Sequence, residues 1–129
     1  MQNCGNARIS HKTRLLLQET MQAVVTDGTG KYLYPFTKKG FKIFTKTGTG
    51  QTSNVNKRNL GGTHLEHAWS AVYFQYKNDR PLVLVVLVEH VGSSYMARAC
   101  IRSFLRGLLQ IKEHSQAIDY THGNPTQAL

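Results

Sequence analysis

Residues 45–51 read TKTGTGQ, a segment with three threonines, two glycines and one lysine. It overlaps the stretch FKIFTKT (residues 41–47), whose aromatic and β-branched residues predict a β-strand. Glycine forms helices poorly and gives a core no side chain, so its use at the end of a strand indicates that something approaches the backbone closely. The segment therefore predicts a strand end at which another molecule or chain segment can lie.

The residues before this strand predict a helix and then a turn. Residues 10–25 (SHKTRLLLQETMQAVV) carry apolar residues at helical spacing, with Ser10 as the N-cap and Gly28 just past the end. The stretch DGTGKYLYP (residues 27–35) is typical of a glycine-rich turn.

The residues after it predict a loop and two strands. Residues 51–66 form a polar loop without periodicity, and HAWSAVYFQY (residues 67–76) and LVLVVLVEH (residues 82–90) are strand-like. The loop KNDRP between them suits a hairpin. Because the second of these segments is apolar at successive positions, we expect a strand covered on both faces.

A second helix is predicted after Gly92, capped by Ser93 or Ser94. Its apolar positions repeat at spacings of four, three, four and three: Ala97, Ile101, Phe104, Leu108 and Ile111. Arg98, Arg102 and Arg106 fall on the opposite face of this helix. Such a row of arginines more often forms a solvated helix surface than a phosphate-binding stripe.

The chain is basic and has the size of one domain. Its 129 residues include 16 Lys and Arg against 7 Asp and Glu, a net charge of +9, which favours nucleic acid, anionic lipid or a carboxylate-bearing substrate. The basic residues are scattered, without the run typical of a nucleic-acid-binding arm.

Cys4 and Cys100 are too distant for a metal-ligand pair, and two cysteines do not make a disulfide framework. We see no signal peptide, and the apolar run at residues 82–88 is far shorter than a membrane span.

Three other patterns are weak candidates for chemistry. The phosphate-loop pattern fails around Gly30-Lys31, because it lacks the earlier glycine and the following Ser or Thr. The stretch HLEH (residues 64–67) offers two histidines and a carboxylate, but the sequence supplies no cluster that completes a zinc site. Glu89 and His90 could form an acid-base pair, but polar residues at the end of an apolar strand more often mark the point where the strand runs into solvent.

The segment Lys46-Thr47-Gly48-Thr49 carries a resemblance to a known family. Lys-Thr-Gly is a signature motif of penicillin-binding proteins and serine beta-lactamases. Over roughly residues 9–112 the chain resembles the last third of a penicillin-binding transpeptidase domain of the high-molecular-weight, class B type. Four blocks occur in the order of that domain: ETMQAVVTDGTG (residues 19–30), KTGTGQ (46–51), HAWSAVYF (67–74) and RPLVLVVLVEH (80–90).

This resemblance implies an α+β fold. We expect a partial beta-lactamase/transpeptidase-like fold over residues 1–112, with three antiparallel strands flanked by N- and C-terminal helices on one face, and a loose tail at residues 113–129. In the family the strand at Leu82–Val88 pairs with strands of the N-terminal portion. On this chain it would be an exposed edge that favours self-association.

The resemblance also implies a role for each residue of the motif. Lys46 places a positive charge near the terminal carboxylate of a peptidoglycan stem peptide or a beta-lactam, and the hydroxyls of Thr47 and Thr49 donate hydrogen bonds to it. Gly48 leaves room for the ligand, and the Thr49 backbone N–H lies in the oxyanion hole. No metal or organic cofactor is implied.

The family's other two motifs are absent from these 129 residues. None of the seven serines begins Ser-x-x-Lys or Ser-x-Asn, so we expect a chain that binds but does not acylate. Thr45 and Ser70 also depart from the family, which generally has glycine and an aromatic residue there. Family members are anchored in the inner membrane and face the periplasm.

Two alternatives remain open. A separate polypeptide could supply the serine motifs, which would make this chain half of a split transpeptidase. The chain could instead be a non-catalytic binding module, such as a sensor-like fragment or a basic nucleic-acid binder, although we expect no nucleic acid.

Overall fold

The structure is a computed structural model that describes residues 8–51 and 59–122, with side chains as far as residue 115. Within these ranges three α-helices, two short 3-10 helices and three strands follow one another. In chain order they are α1 (His11–Thr26), a 3-10 helix (Lys31–Leu33), α2 (Tyr34–Thr37), β1 (Phe41–Gly50), a 3-10 helix (Gly62–His64), β2 (His67–Tyr76), β3 (Leu82–Val88) and α3 (Tyr95–His122).

The strands form one antiparallel sheet in the order β1-β2-β3. Because side chains alternate along a strand, each residue belongs to one of two faces. The inner face includes Phe41, Ile43, Val72 and Phe74, all buried in the core. The outer face includes the neighbours of these residues in sequence, such as Lys42, Phe44 and Tyr73. The expected α+β fold with a three-stranded antiparallel sheet flanked by helices is confirmed.

Helix α3 packs on the inner face through a stripe that shares Ala97 and Ile101 with the predicted one but differs from it further along the helix. The residues with at most 6% of their surface exposed are Ala97, Ile101, Leu105 and Leu109. Phe104 and Ile111, which the sequence placed in the core, are 47% and 64% exposed. Both belong to an apolar face adjoining the buried stripe, which no described element covers. Phe104 keeps only an edge-to-face contact with Phe74, with ring centroids 6.0 Å apart.

Helix α1 begins and ends close to its predicted bounds. Ser10 caps it, because its hydroxyl accepts a hydrogen bond from the Thr13 backbone N–H at 3.0 Å. Its middle borders a groove that is closed on the sheet side by Phe44 and Tyr73 of the outer face. We expected both terminal helices on one face of the sheet. Instead, α3 packs on the inner face and the middle of α1 lies at the outer face. Only the end of α1 joins the inner core, where Val25 is buried.

The glycine-rich stretch after α1 contains more structure than the predicted turn. A turn at residues 27–30 leads into the first 3-10 helix and α2, which bury Leu33 and Phe36 in the inner core. The turn must be tight because Gly30 lies against β1. A Cβ atom on this glycine would come within 2.5 Å of the Thr45 Cγ2 atom.

Strand β3 is an edge strand with one covered face, contrary to the expectation that both faces are covered. Leu84 and Val86 pack against the inner core, whereas Val83, Val85 and Leu87 on the outer face are 67%, 56% and 41% exposed. The strand is therefore apolar on both faces, although its outer face is largely exposed. Strand β2 and the hairpin at residues 77–81 lie where the sequence predicted them.

Helix α3 is longer than predicted. It runs to His122 and so includes residues 113–122, which we expected in a loose tail, while residues 123–129 lie outside the described ranges. An ion pair between Lys112 and Asp79, 2.8 Å apart, joins the helix to the β2–β3 hairpin. None of the helices in the described part of the chain combines the length and apolarity needed to cross a membrane.

Candidate functional site

The Lys-Thr-Gly segment lies in the second half of β1, as the sequence predicted. Strand β1 extends to Gly50, three residues beyond the predicted stretch FKIFTKT. Four small or aromatic residues of β2 stand opposite the segment, in register with residues 46 to 49: Ala71, Ser70, Trp69 and Ala68.

The outer edge of β1 has no strand partner among the described residues. No backbone hydrogen bond there joins residues 41–50 to any segment except β2. Within that part of the chain, the backbone N–H and C=O groups that point away from β2 therefore have no backbone partner, although the Lys46 ammonium contacts the Thr47 carbonyl oxygen. An unpaired edge of this kind is a template on which an extended peptide can add as a further strand.

The four side-chain positions of the segment divide between the two faces of the sheet. Lys46 and Gly48 belong to the outer face, and Thr47 and Thr49 to the inner face. Lys46 is exposed, and its ammonium group donates to the Thr47 carbonyl oxygen. The lysine side chain therefore bends back to its own strand, which keeps the charge close to the backbone of the segment.

Thr29 is a neighbour of the segment that the sequence did not indicate. The hydroxyls of Thr29 and Thr47 are hydrogen-bonded at 2.9 Å, so the turn after α1 holds the second residue of the motif. Thr49 is exposed and makes no such contact in the described part of the chain. The only sequence signal for Thr29 was its place between two glycines.

Gly48 has space around it within the protein. An added Cβ would lie 3.6 Å from the Cβ of Trp69, an ordinary contact distance. Its backbone does not adopt the left-handed conformation that favours glycine. The fold itself therefore does not require glycine at this position.

The two positions at which we expected departures from the family pattern are both buried. Thr45 is fully buried, and its hydroxyl donates to the Ala71 carbonyl at 3.0 Å. Ser70 is 1% exposed, and the Tyr32 hydroxyl is its neighbour. Neither the Ser70 nor the Tyr32 hydroxyl makes a hydrogen bond of good geometry within the described residues.

Burial raises the pKa of Tyr32 above its ordinary value of 10.0. Removing a phenolate from water costs free energy, so the neutral form is favoured. The Ser70 hydroxyl and the positive charge of Arg98 act in the opposite direction and only partly offset this effect. Tyr32 is thus a half-buried side chain whose phenol hydroxyl is buried and favoured in its neutral form.

The histidines at the start of β2 and the end of β3 have structural roles. His67 Nδ1 accepts a hydrogen bond from the His90 backbone N–H at 3.0 Å, and the two rings are 4.5 Å apart. The His90 ring also contacts the Leu65 carbonyl oxygen at 3.3 Å. Across residues 8–51 and 59–115 no three His, Cys, Asp or Glu side chains cluster as metal ligands would.

Residues 46–49 lie on an open edge rather than in a cleft. Three grooves in the described part of the chain are lined by residues of the α-helices and the first 3-10 helix, with Phe44 and Tyr73 of the sheet, and none of them includes residues 46–49. The segment can therefore provide one wall of a binding site, with its charge and its backbone groups already in place.

One comparison with known proteins gives a match. The family model described as the penicillin binding protein transpeptidase domain matches residues 2–105. No curated protein and no solved structure matches the chain significantly.

Proposed function

The chain belongs to the penicillin-binding protein transpeptidase domain family, and on this premise we propose that residues 46–49 bind a peptidoglycan stem peptide ending in D-Ala-D-Ala, or a beta-lactam. The observation that carries the proposal is the unpaired edge of β1 with an exposed lysine on it. The family membership limits the choice of ligand to the two classes that its members bind.

The binding mode follows from the geometry of the edge. A stem peptide lies extended along β1 and exchanges backbone hydrogen bonds with it. Its terminal carboxylate lies at the open edge of the strand, between the two faces of the sheet. The Lys46 ammonium gives up the Thr47 carbonyl oxygen and reaches this carboxylate from the outer face, and the exposed Thr49 hydroxyl donates to it from the inner face. The bond from Thr29 keeps the Thr47 hydroxyl in place on the inner face.

The segment binds and polarises the substrate but does not attack it. Acyl transfer in this family needs an activated serine, and the sequence has no Ser-x-x-Lys or Ser-x-Asn. We assign the Thr49 backbone N–H as an oxyanion donor that acts only when a serine on another segment attacks. No cofactor has a role in this proposal.

A paired substitution tests the role of Lys46. Lys46→Gln removes the charge at the site, and Lys42→Gln removes an equally exposed charge from the same strand and the same face, four residues away. A charged hydrogen bond is worth about 1.5–3 kcal/mol, so we expect Lys46→Gln to weaken binding of a D-Ala-D-Ala peptide roughly 10- to 100-fold. Lys42→Gln should leave the affinity unchanged. Equal losses in both variants would show that only net charge matters and would reject the assignment.

Labelling with a fluorescent penicillin tests the separation of binding from attack. We expect reversible binding and no covalent adduct, because no serine of the chain has the activating lysine. A stable ester on any serine, identified by intact-mass measurement, would disprove this part of the proposal.

The open edge of β3 supports the alternative of a split transpeptidase. Its outer edge has no partner among the described residues, and its outer face exposes apolar residues, so it can accept a strand from the family's N-terminal portion or from a second copy of the chain. In that assembly residues 1–112 act as the C-terminal portion of the domain. Its site would face the periplasm from an inner-membrane anchor, as in the family.

A further inference from the structure

A groove runs between α3 and the first 3-10 helix. None of the residues that line it belongs to the Lys-Thr-Gly segment. Its volume is about 360 Å³. The lining contains three arginines, two tyrosines and no acidic residue: Tyr32, Tyr95, Arg98, Ala99, Arg102, Ser103 and Arg106. We call it the arginine groove.

Arg98 is held in place at one end of this groove. Its guanidinium carbon lies 5.8 Å from the centre of the Tyr32 ring and 6.0 Å from that of Tyr95. Its Nε atom is buried and has no hydrogen-bond partner among the described residues. A buried, unpartnered donor on a charged side chain is costly unless a ligand or water satisfies it. Arg98 is therefore half-buried, whereas the sequence-based interpretation placed it on a solvated helix surface.

Arg102 and Arg106 extend the positive charge along the groove. Residues four apart on a helix share a face and are about 6 Å apart along its axis. Both are exposed, as predicted, and within the described part of the chain none of the three arginines forms an ion pair with an acidic side chain. An adjoining groove of about 210 Å³ shares both residues and adds Lys39.

We propose that the arginine groove binds a phosphate-bearing anion. Guanidinium groups form paired hydrogen bonds with phosphate oxygens, and the groove offers three of them in a row without a competing carboxylate. A ligand with more than one phosphate can contact successive arginines, which a single carboxylate cannot do. This inference is independent of the function proposed for β1, because the two sites share no residue.

The test is calorimetric titration of the full chain with inorganic phosphate, pyrophosphate and acetate. The groove variant is Arg102→Gln/Arg106→Gln, and the control variant Arg14→Gln/Arg80→Gln loses the same charge from exposed arginines outside the groove. We expect pyrophosphate to bind more tightly than phosphate and acetate, and the groove variant to bind it at least tenfold more weakly. The control variant should bind it as the unchanged chain does.

Three results would overturn the inference: equal losses in both variants, acetate binding as tight as that of pyrophosphate, or no heat of binding at millimolar pyrophosphate. Circular dichroism of both variants excludes misfolding as the cause of a loss.

Co-sedimentation with vesicles of anionic or neutral phospholipid shows whether the phosphate belongs to a lipid headgroup or to a soluble anion. Binding to anionic vesicles that the groove variant loses identifies a lipid headgroup, and pyrophosphate binding without vesicle binding identifies a soluble anion.

Discussion

Thr45 and Ser70 stand where the resemblance implied a glycine and an aromatic residue, and both are buried. The Thr45 hydroxyl donates to the Ala71 carbonyl, and its methyl group lies where a side chain on Gly30 would be. Ser70 has the Tyr32 hydroxyl as its neighbour. Each of these two buried residues therefore has a close neighbour on another segment of the chain.

Substitution of Gly48 by alanine separates the needs of the ligand from those of the fold. The new Cβ makes only an ordinary contact with Trp69. We therefore expect the free energy of unfolding to stay within about 1 kcal/mol of that of the original chain. Stem-peptide binding should weaken, because the methyl group occupies space beside the strand edge. Gly30→Ala is the matched control, and the contact with Thr45 should make it clearly less stable. Unchanged peptide affinity in Gly48→Ala would contradict our account of this glycine.

Tyr32→Phe should change stability mainly in alkaline solution. The folded-state pKa of Tyr32 is raised, so its stabilising effect is complete below the unfolded-state pKa of about 10 and is lost as the pH rises above it. We expect urea unfolding to show a steeper loss of stability above pH 10 for the original chain than for the variant. Near pH 7 the two should be similar, because the hydroxyl makes no good hydrogen bond. Parallel pH profiles would argue against a buried neutral phenol.

At the scale of elements, the sequence predicted the strands better than the faces of the helices. Strand β2 coincides with the predicted HAWSAVYFQY, because strand residues and hairpin loop both signal it. The sequence of helix α3 allows two adjoining apolar stripes. The stripe through Leu105 is buried against the sheet, whereas Phe104 is 47% exposed. Sequence periodicity alone does not say which of two adjoining stripes meets the sheet.

Alanine substitutions in α3 test which stripe is buried. Leu105→Ala removes a fully buried side chain and leaves a cavity, so we expect a loss of about 2–5 kcal/mol in the free energy of unfolding. Phe104→Ala should cost less than half as much, although the side chain is larger, because Phe104 is 47% exposed. Urea denaturation of the two variants measures the difference. A larger loss for Phe104→Ala would support the stripe that the sequence predicted.

The edge strand β3 should make the chain self-associate. Val83 and Val85 expose apolar side chains beside an edge without a described partner, and a lysine on such a strand opposes pairing. We expect sedimentation velocity to show concentration-dependent oligomers that Val85→Lys reduces. Asn78→Lys in the exposed hairpin adds the same charge and should not reduce them. A monomer at all concentrations for the original chain would remove the case for an open sheet edge in solution.

For the whole molecule, the sequence indicated the binding strand but not the arginine groove. The Lys-Thr-Gly motif is contiguous, so its position in β1 follows from strand pattern and resemblance. The groove arises only when the first 3-10 helix lies beside α3, which brings Tyr32 to Arg98 across 66 positions of sequence. The link between Thr29 and Thr47 has the same origin. Contacts of this kind depend on tertiary packing, for which one sequence holds no local signal.

The central claim is that the free edge of β1 receives the carboxyl end of a peptide. The most direct measurement is a backbone NMR titration with two peptides ending in D-Ala-D-Ala, one with a free carboxylate and one with a carboxamide. We expect the carboxylate peptide to shift the amide signals of residues 46–50 in a saturable way, and the carboxamide to shift them weakly. Equal shifts from both peptides, or shifts confined to other parts of the chain, would contradict the account.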